Sequence, residues 1–340
     1  MSVDHRPLCS VCIANYNGIK LIDACIRSVQ LQDCDFPVEI IVHDDASTDS
    51  SVEHLRLHYP KIVLILSKEN VGFCVSNNRM VERAQGHYIL LLNNDAELFP
   101  DALRTLYNEA RRIGSPAVLG LPQYNASTGE LIDIGSRLDP FLNPVPNLDT
   151  TQQEVGMIIG ACLWLQRDLW HELGGFPDWF GSLAEDMYLC LLARLYGYPV
   201  IALPVSGFRH WVGQSLGGGK VVNNRLSTKL SRRIASERNK TFVMALIYPN
   251  LLFQIIFPLH LILLLIEGLL LAVMKRNWSL FVDIYWGCVK CQWSERKRLN
   301  QLRKKIQMGA KIGVLNFLKP FNLIPYKLYL LLRHGLPEIR

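Results

Sequence analysis

The stretch Tyr88-Ile89-Leu90-Leu91-Leu92-Asn93-Asn94-Asp95 constrains this chain most. A short run of large apolar residues, preceded by Gly86, stops abruptly in three small polar ones. Such a run reads as a strand buried on both faces, the kind that lies inside a mostly parallel sheet. Its polar end then sits at the strand's carboxyl terminus, where open α/β sheets hold their ligands. A carboxylate flanked by two amides there suits a hard divalent cation that shares oxygens with a phosphate. A plain Asn/Asp turn after a core strand reads equally well from these eight residues alone.

The neighbouring sequence repeats the pattern. Leu8–Ala14 reads as a strand ending in the turn cluster Asn15-Tyr16-Asn17-Gly18, and Leu21, Ile22, Cys25, Ile26 and Val29 follow at helical spacing. Val38–Val42 reads as a second strand ending in His43-Asp44-Asp45-Ala46-Ser47-Thr48-Asp49. A helix over Ser51–His58, a strand over Ile62–Leu66, the loop Asn70-Val71-Gly72-Phe73 and a helix over Cys74–Ala84 lead back to the Asp95 strand. Strands alternating with helices of this length predict βαβ units in an α/β fold. Three strand ends then bring polar residues to one sheet edge. Gly-x-Gly-x-x-Gly does not follow the first strand and no P-loop motif occurs, so a glycine cradle for phosphate is not expected.

Taken together, Tyr16-Asn17, Asp44-Asp45-Ala46-Ser47-Thr48-Asp49, Asn70-x-Gly72-Phe73 with Asn77-Asn78, and Asn93-Asn94-Asp95 resemble family 2 glycosyltransferases in order and spacing, over roughly residues 8–215. The closest likeness is to the bacterial rhamnosyltransferase-like branch, whose metal motif reads Asn-x-Asp. The resemblance implies a GT-A fold, a Rossmann-like, mostly parallel sheet flanked by helices, with chemistry on a nucleotide-diphosphate sugar and a divalent cofactor, Mg2+ or Mn2+. It implies donor binding at Ala14, Tyr16, Asp44, Asp45, Asn70, Gly72, Asn93 and Asn94, and metal binding at Asp95 and His210. Ala184-Glu185-Asp186 matches the family's Glu-Asp motif, which implies Asp186 as the general base of an inverting transfer, beside Glu185. As residues alone, Glu185 and Asp186 also read as acids favoured in a helix's first turn. Tyr188 and Leu192 stand where the family usually has a further Asp and an Arg. Gly129–Gly135 resembles the part of this branch that shapes the acceptor side. Val155–Leu165, with Gly156 and Gly160, reads either as a close backbone approach to a ligand or as a buried strand.

Charge divides the chain. Residues 1–220 carry 16 Lys/Arg against 25 Asp/Glu, and residues 221–340 carry 20 against 5. We expect a catalytic domain over 1–220 and a basic, apolar, helical, membrane-associating region over 221–340, with Gly217–Gly219 as a hinge. Arg225–Lys240 reads as a basic helix. Val243–Met274 is apolar but interrupted by Pro249-Asn250, Gln254, Pro258, His260 and Glu267. Lys/Arg on both flanks argues against a single crossing and suits a re-entrant hairpin, two short crossings or helices in the cytoplasmic interface. Trp278, Tyr285, Trp286 and Trp293 fit an interfacial belt, and Val314–Leu332 continues the same chemistry. A packing or homo-oligomer interface remains the alternative for this region. The expected partners are therefore the donor, a saccharide or lipid-linked acceptor and an anionic membrane surface. Nucleic acid is not expected, because the basic residues interleave with aliphatic runs. The polar Met1–Pro7 carries no apolar segment, so no signal peptide is expected. Nine scattered Cys suggest reduced thiols, and neither Cys9/Cys12 nor Cys288/Cys291 reads as a zinc site. Two rival functions stay open: an inactive sugar-nucleotide-binding membrane protein and a nucleotidyltransferase.

Overall fold

A computed structural model describes residues 6–211, 220–222, 225–334 and 338–339. Gly213, Ser215 and the expected hinge Gly217–Gly219 lie outside the described residues. The chain divides into two compact units, one of Met1–Ser136, Pro146–Ala193 and Tyr198–Ser215, the other of Arg137–Val145, Arg194–Gly197 and Leu216–Arg340.

In chain order the first unit begins β1 (Cys9–Asn15), α1 (Ile22–Gln30), β2 (Val38–Asp44), α2 (Ser51–His58), β3 (Val63–Leu66), α3 (Phe73–Arg83), β4 (Tyr88–Asn93), β5 (Ala96–Leu98) and α4 (Ala102–Ile113). Short strands β6 (Val118–Gly120), β7 (Gln123–Asn125) and β8 (Leu131–Asp133) follow, then β9 (Arg137–Leu138) and β10 (Pro144–Val145) of the second unit. The first unit resumes with β11 (Cys162–Gln166) and α5 (Arg167–Leu173). Helix α6 (Glu185–Leu195) precedes β12 (Val200–Ala202) and β13 (Phe208–His210).

Seven strands form the central sheet in the order β12-β6-β11-β4-β1-β2-β3, with β11 antiparallel to both of its neighbours. Alternation explains its two faces. Cys9, Val11 and Ile13 pack with Tyr88, Leu90 and Leu92 against Ile22, Cys25 and Ile26 of α1 and Leu103 and Leu106 of α4. Cys12, Ile89 and Leu91 point the other way and are equally buried, which is why β1 and β4 read as continuous apolar runs. Register matters more for function. Asn15 pairs with Asp44 and Ala14 with Asn93, so three carboxyl-terminal strand ends finish flush. A smaller sheet, β5-β13-β7-β8, follows the turn at Asn94-Asp95. Gly129–Gly135 is the second strand of the β7–β8 hairpin, β8, with the residues that flank it.

The second unit is mostly helical. Backbone strands β14 (Lys220–Val222), β15 (Arg225–Thr228) and β16 (Glu338–Ile339) form one small sheet. The basic helix expected from Arg225 begins instead at Leu230, as α7 (Leu230–Ile247). The residues before it are held by pairing with a segment over 100 positions downstream. Pro249 separates α7 from α8 (Asn250–Lys275), which continues unbroken through Pro258. Helix α9 (Trp278–Leu280) passes through a π turn at Phe281–Trp286 into α10 (Gly287–Ser294), followed by α11 (Arg296–Met308), α12 (Val314–Leu318) and α13 (Tyr326–His334). A polar network around buried Glu237 and Lys240 ties this unit together. Glu237 meets Lys327 at 2.7 Å, Lys240 at 2.8 Å and Arg233 at 3.3 Å, and Lys327 and Arg233 also reach Glu267 at 2.8 and 2.6 Å. Arg303 of α11 donates to the carbonyls of Ala245 and Leu246, satisfying orphan acceptors at the end of α7.

Candidate active site

The flush strand ends are wired to one another. Asn15 donates through Nδ2 to Asp44 Oδ2 at 2.9 Å and accepts at Oδ1 from Asn94 Nδ2 at 2.8 Å. Asp44 also accepts from the Ser47 amide at 2.9 Å and the Ser47 hydroxyl at 2.7 Å. This row of β2, β1 and β4 ends is buried, and Gly18 lies against it. A Cβ at Gly18 would come within 2.1 Å of Asn15 Oδ1, so only glycine fits the turn. Asn17 and Ala46, both with φ above +50°, bring their turns together, and Asn17 Oδ1 accepts from the Thr48 amide at 2.7 Å. Around this rigid row Ala14 is half-buried, while Tyr16 and Asn70 are exposed.

Asp45 holds a loop. Its two carboxylate oxygens accept from the amides of Val71 at 2.7 Å and Gly72 at 2.9 Å. Gly72, at φ +88°, packs on the backbone of Gly181, whose carbonyl oxygen would lie 3.1 Å from an added Cβ. Gly181 begins a run of unusual backbone in which Leu183 and Ala184 also take positive φ, 75° and 65°. Bulky residues rarely adopt that region, and such strain clusters at functional sites. The run delivers Glu185 and Asp186 to the first turn of α6. Asn78 of α3 steadies the preceding segment, accepting from the Phe176 amide at 3.0 Å and donating to its carbonyl at 2.8 Å.

Asp186 connects back to the strand ends. Its Oδ2 accepts from the Gly160 amide at 3.0 Å, and the next residue, Ala161, accepts from the Asn93 amide at 3.1 Å. Glu185 is buried and Asp186 half-buried. Val155–Leu165 thus holds a buried strand from Cys162, and its Gly160 backbone meets the Asp186 carboxylate. Tyr188 packs edge-on against Phe180 and Leu192 is buried, so the two departures from the family pattern lie in apolar surroundings.

Asp95 and His210 meet just beyond the end of β4. β13 pairs with β5 so that His210 faces Ala96, and its Nε2 comes 3.1 Å from Asp95 Oδ1. Gln123 Nε2 lies 2.8 Å from His210 Nδ1, the ring nitrogen on the side away from Asp95. Gln123 gave no signal in the sequence, because it meets His210 only through the parallel β7–β13 pairing. At the end of β4, Asn93 Oδ1 is buried and accepts no hydrogen bond among the described residues. A carboxylate beside an imidazole suits Mn2+ or Mg2+, which usually completes its shell with water and substrate phosphate. Among the described residues no third His, Cys, Asp or Glu joins this pair. His43, behind the Asp44–Asp45 turn, has its pKa lowered by burial and meets Ser67 at 3.2 Å.

These features find counterparts among known proteins. The Glycosyl transferase family 2 profile matches residues 10–174. Chondroitin synthase of Escherichia coli is 35% identical over 190 residues, covering 54% of this chain and 26% of that protein. N-acetylglucosaminyl-diphospho-decaprenol L-rhamnosyltransferase of Mycobacterium tuberculosis (strain CDC 1551 / Oshkosh) is 22% identical over 212 residues, covering 53% of this chain and 69% of that one. The chain spans about a third or less of the length of four of its curated relatives, with 19–34% of each covered. Among solved structures, GalNAc-T7 with UDP, GalNAc and Mn2+ superimposes with a TM-score of 0.56 at 16% identity, over 72% of this chain and 48% of that one. The sheet, its strand-end carboxylates and the profile match agree that residues 10–174 form a domain of glycosyltransferase family 2, built on the GT-A fold.

Proposed function

We propose that this chain transfers a sugar, with inversion and with a divalent cation, from a nucleotide-diphosphate donor to a lipid-linked saccharide at a membrane surface. One observation carries the reading: Asp186 and the Asn93 strand end are joined through the adjacent residues Gly160 and Ala161. That puts a half-buried carboxylate beside the edge where the donor's diphosphate would lie. In the reaction Asp186 takes the acceptor hydroxyl's proton while that oxygen bonds to the anomeric carbon. The bond from that carbon to the diphosphate oxygen breaks on the opposite face, which inverts the centre. Asp95 and His210 would hold the cation, which supplies positive charge to the departing diphosphate. Asp44 and its row fix the nucleoside side, and Asp45 shapes the loop at Asn70–Gly72.

The lipid-linked acceptor is supported by the name of the mycobacterial relative, a transferase to a diphospho-decaprenol saccharide. The excess of 20 Lys/Arg over 5 Asp/Glu in residues 221–340 supports a membrane-bound catalyst working at the cytoplasmic leaflet. A donor screen tests the proposal: nucleotide sugars are added with Mn2+ or Mg2+ and thermal unfolding is followed. A true donor at one hundred times its Kd should stabilise the protein by about 2.7 kcal/mol. No metal-dependent shift with any nucleotide sugar would refute the donor reading, and a product of retained anomeric configuration would refute inversion.

A further inference from the structure

We infer that α8 lies along an anionic lipid leaflet, its outer aliphatic face sunk among the acyl chains, and does not cross the bilayer. The inference rests on the membrane association proposed above and specifies its geometry.

Helix α8 is inside-out. Over its 26 residues, about 39 Å, the buried positions His260, Leu264, Gly268, Leu271 and Ala272 form one seam. The opposite arc carries Leu251, Ile255, Ile262, Ile266, Leu269 and Val273, each 45–60% exposed. A helix on a water-facing surface puts its polar residues outward. Here the polar side chains of the central turns point inward, His260 to Thr241 at 2.9 Å and Glu267 to Arg233 and Lys327. The exposed arc is left entirely aliphatic.

The neighbours of α8 decide against a crossing. Those same inward contacts lay α7 alongside it, with Arg232, Arg233, Glu237, Arg238 and Lys240. Helix α11 joins its start, because Arg303 donates to Asn250 Oδ1 at 2.7 Å, and α11 exposes Arg296, Lys297, Lys304 and Lys305. A spanning α8 would draw this charge toward the hydrocarbon, where ionised side chains are strongly disfavoured. A flat α8 leaves it at headgroup level, where exposed Trp278, Trp286 and Trp293 also belong. The occupant is lipid rather than a second copy, because 20 Lys/Arg against 5 Asp/Glu would repel themselves across a self-interface but complement anionic headgroups.

Labelling from one side of a bilayer tests the orientation. The whole protein is added to sealed vesicles of 70% phosphatidylcholine and 30% phosphatidylglycerol, as Gln254→Cys, Lys275→Cys or Ile262→Cys, and treated outside with a membrane-impermeant maleimide. Gln254 and Lys275 stand about 31 Å apart along the helix, close to the thickness of the hydrocarbon core. Wild-type protein supplies the background, since seven native cysteines are buried and Cys34 and Cys291 half-buried. A flat helix labels at both ends while Ile262→Cys is protected about tenfold relative to vesicle-free protein. Labelling at one end until detergent is added means a crossing and overturns the inference. Failure of wild-type protein to sediment with the vesicles sinks the membrane association itself. Protection of Ile262→Cys in a vesicle-free dimer assigns the face to a second copy and also overturns it. As a second variant, Ile262→Arg with Ile266→Arg should weaken vesicle binding about tenfold or more without changing the melting of free protein, both side chains being exposed. Unchanged vesicle binding would overturn the inference.

Discussion

Asp45→Asn should loosen the loop at Asn70–Gly72 and lower stability and donor affinity together. In the wild type one carboxylate takes the amides of Val71 and Gly72 at 2.7 and 2.9 Å, and Asp45 is buried. Each hydrogen bond to a charged group contributes about 1.5–3 kcal/mol. Asparagine keeps one acceptor and turns an NH2 toward the other amide, so at least one of the two bonds is lost. For a unit of this size 1 kcal/mol shifts the melting temperature by about 2–4 °C, which gives an expected fall of about 3–12 °C. Gly72→Ala strains the same loop from the other side, at a positive φ and against the Gly181 carbonyl, and should reproduce the phenotype. The assay is thermal unfolding with and without UDP or GDP plus Mn2+. Weakened nucleotide binding with an unchanged melting temperature would refute the clamp and make Asp45 a direct donor contact.

Three further outcomes are expected. Asp186→Asn should cut transfer by about 10²–10⁴-fold with nucleotide affinity nearly intact, and an equal loss of both would make it a binding residue. Asp95→Ala should abolish the gain in nucleotide affinity that Mn2+ confers on the wild type, and a calorimetric titration in which both proteins respond alike to the metal would sink the assignment. Burial works against the Glu237 charge, but Lys240, Lys327 and Arg233 outweigh it and hold its pKa well below the usual carboxylate range. Its contribution is therefore complete above about pH 4.5 and is lost as pH falls further toward the depressed value. Glu237→Gln, which leaves the buried Lys240 cation without its partner, should cost about 3–5 kcal/mol at neutral pH. It should also flatten the acid limb of the stability profile, and an unaltered limb on denaturant titration at several pH values would count against the network.

What the sequence revealed followed the range of the forces involved. Local pattern was enough for α2, whose bounds match the expected Ser51–His58, and for the strands whose apolar runs end in polar residues. Pairing between distant segments was invisible. Residues 225–228 read as the start of a basic helix but are held as a strand by a partner near the carboxyl terminus. Glu267 read as a flaw in an apolar run, yet its partners lie 34 and 60 residues away. The positive φ of Leu183 and Ala184 left no trace either, because nothing in a leucine or alanine announces that conformation. Motif resemblance singled out Asp95, His210 and Asp186. It did not reveal Gln123 or the Gly160–Ala161 link, which exist only once the strands have paired.

The antiparallel strand β11 has a consequence for how the protein is made. β11 lies between β4 and β6, so the long apolar strand β4 has one edge unpaired until residues 162–166 leave the ribosome. At roughly 5–20 residues per second, about 4–15 s pass after β4 is synthesised, with the β1-β2-β3 side able to form and the β4 edge open. An unpaired edge of that composition invites pairing with another chain. Premature termination between Asp95 and Cys162 should thus yield aggregating products rather than a small soluble domain. Insertions that lengthen the segment before β11 prolong the same exposure, which makes the stretch between α4 and β11 costly to expand even where it is surface loop.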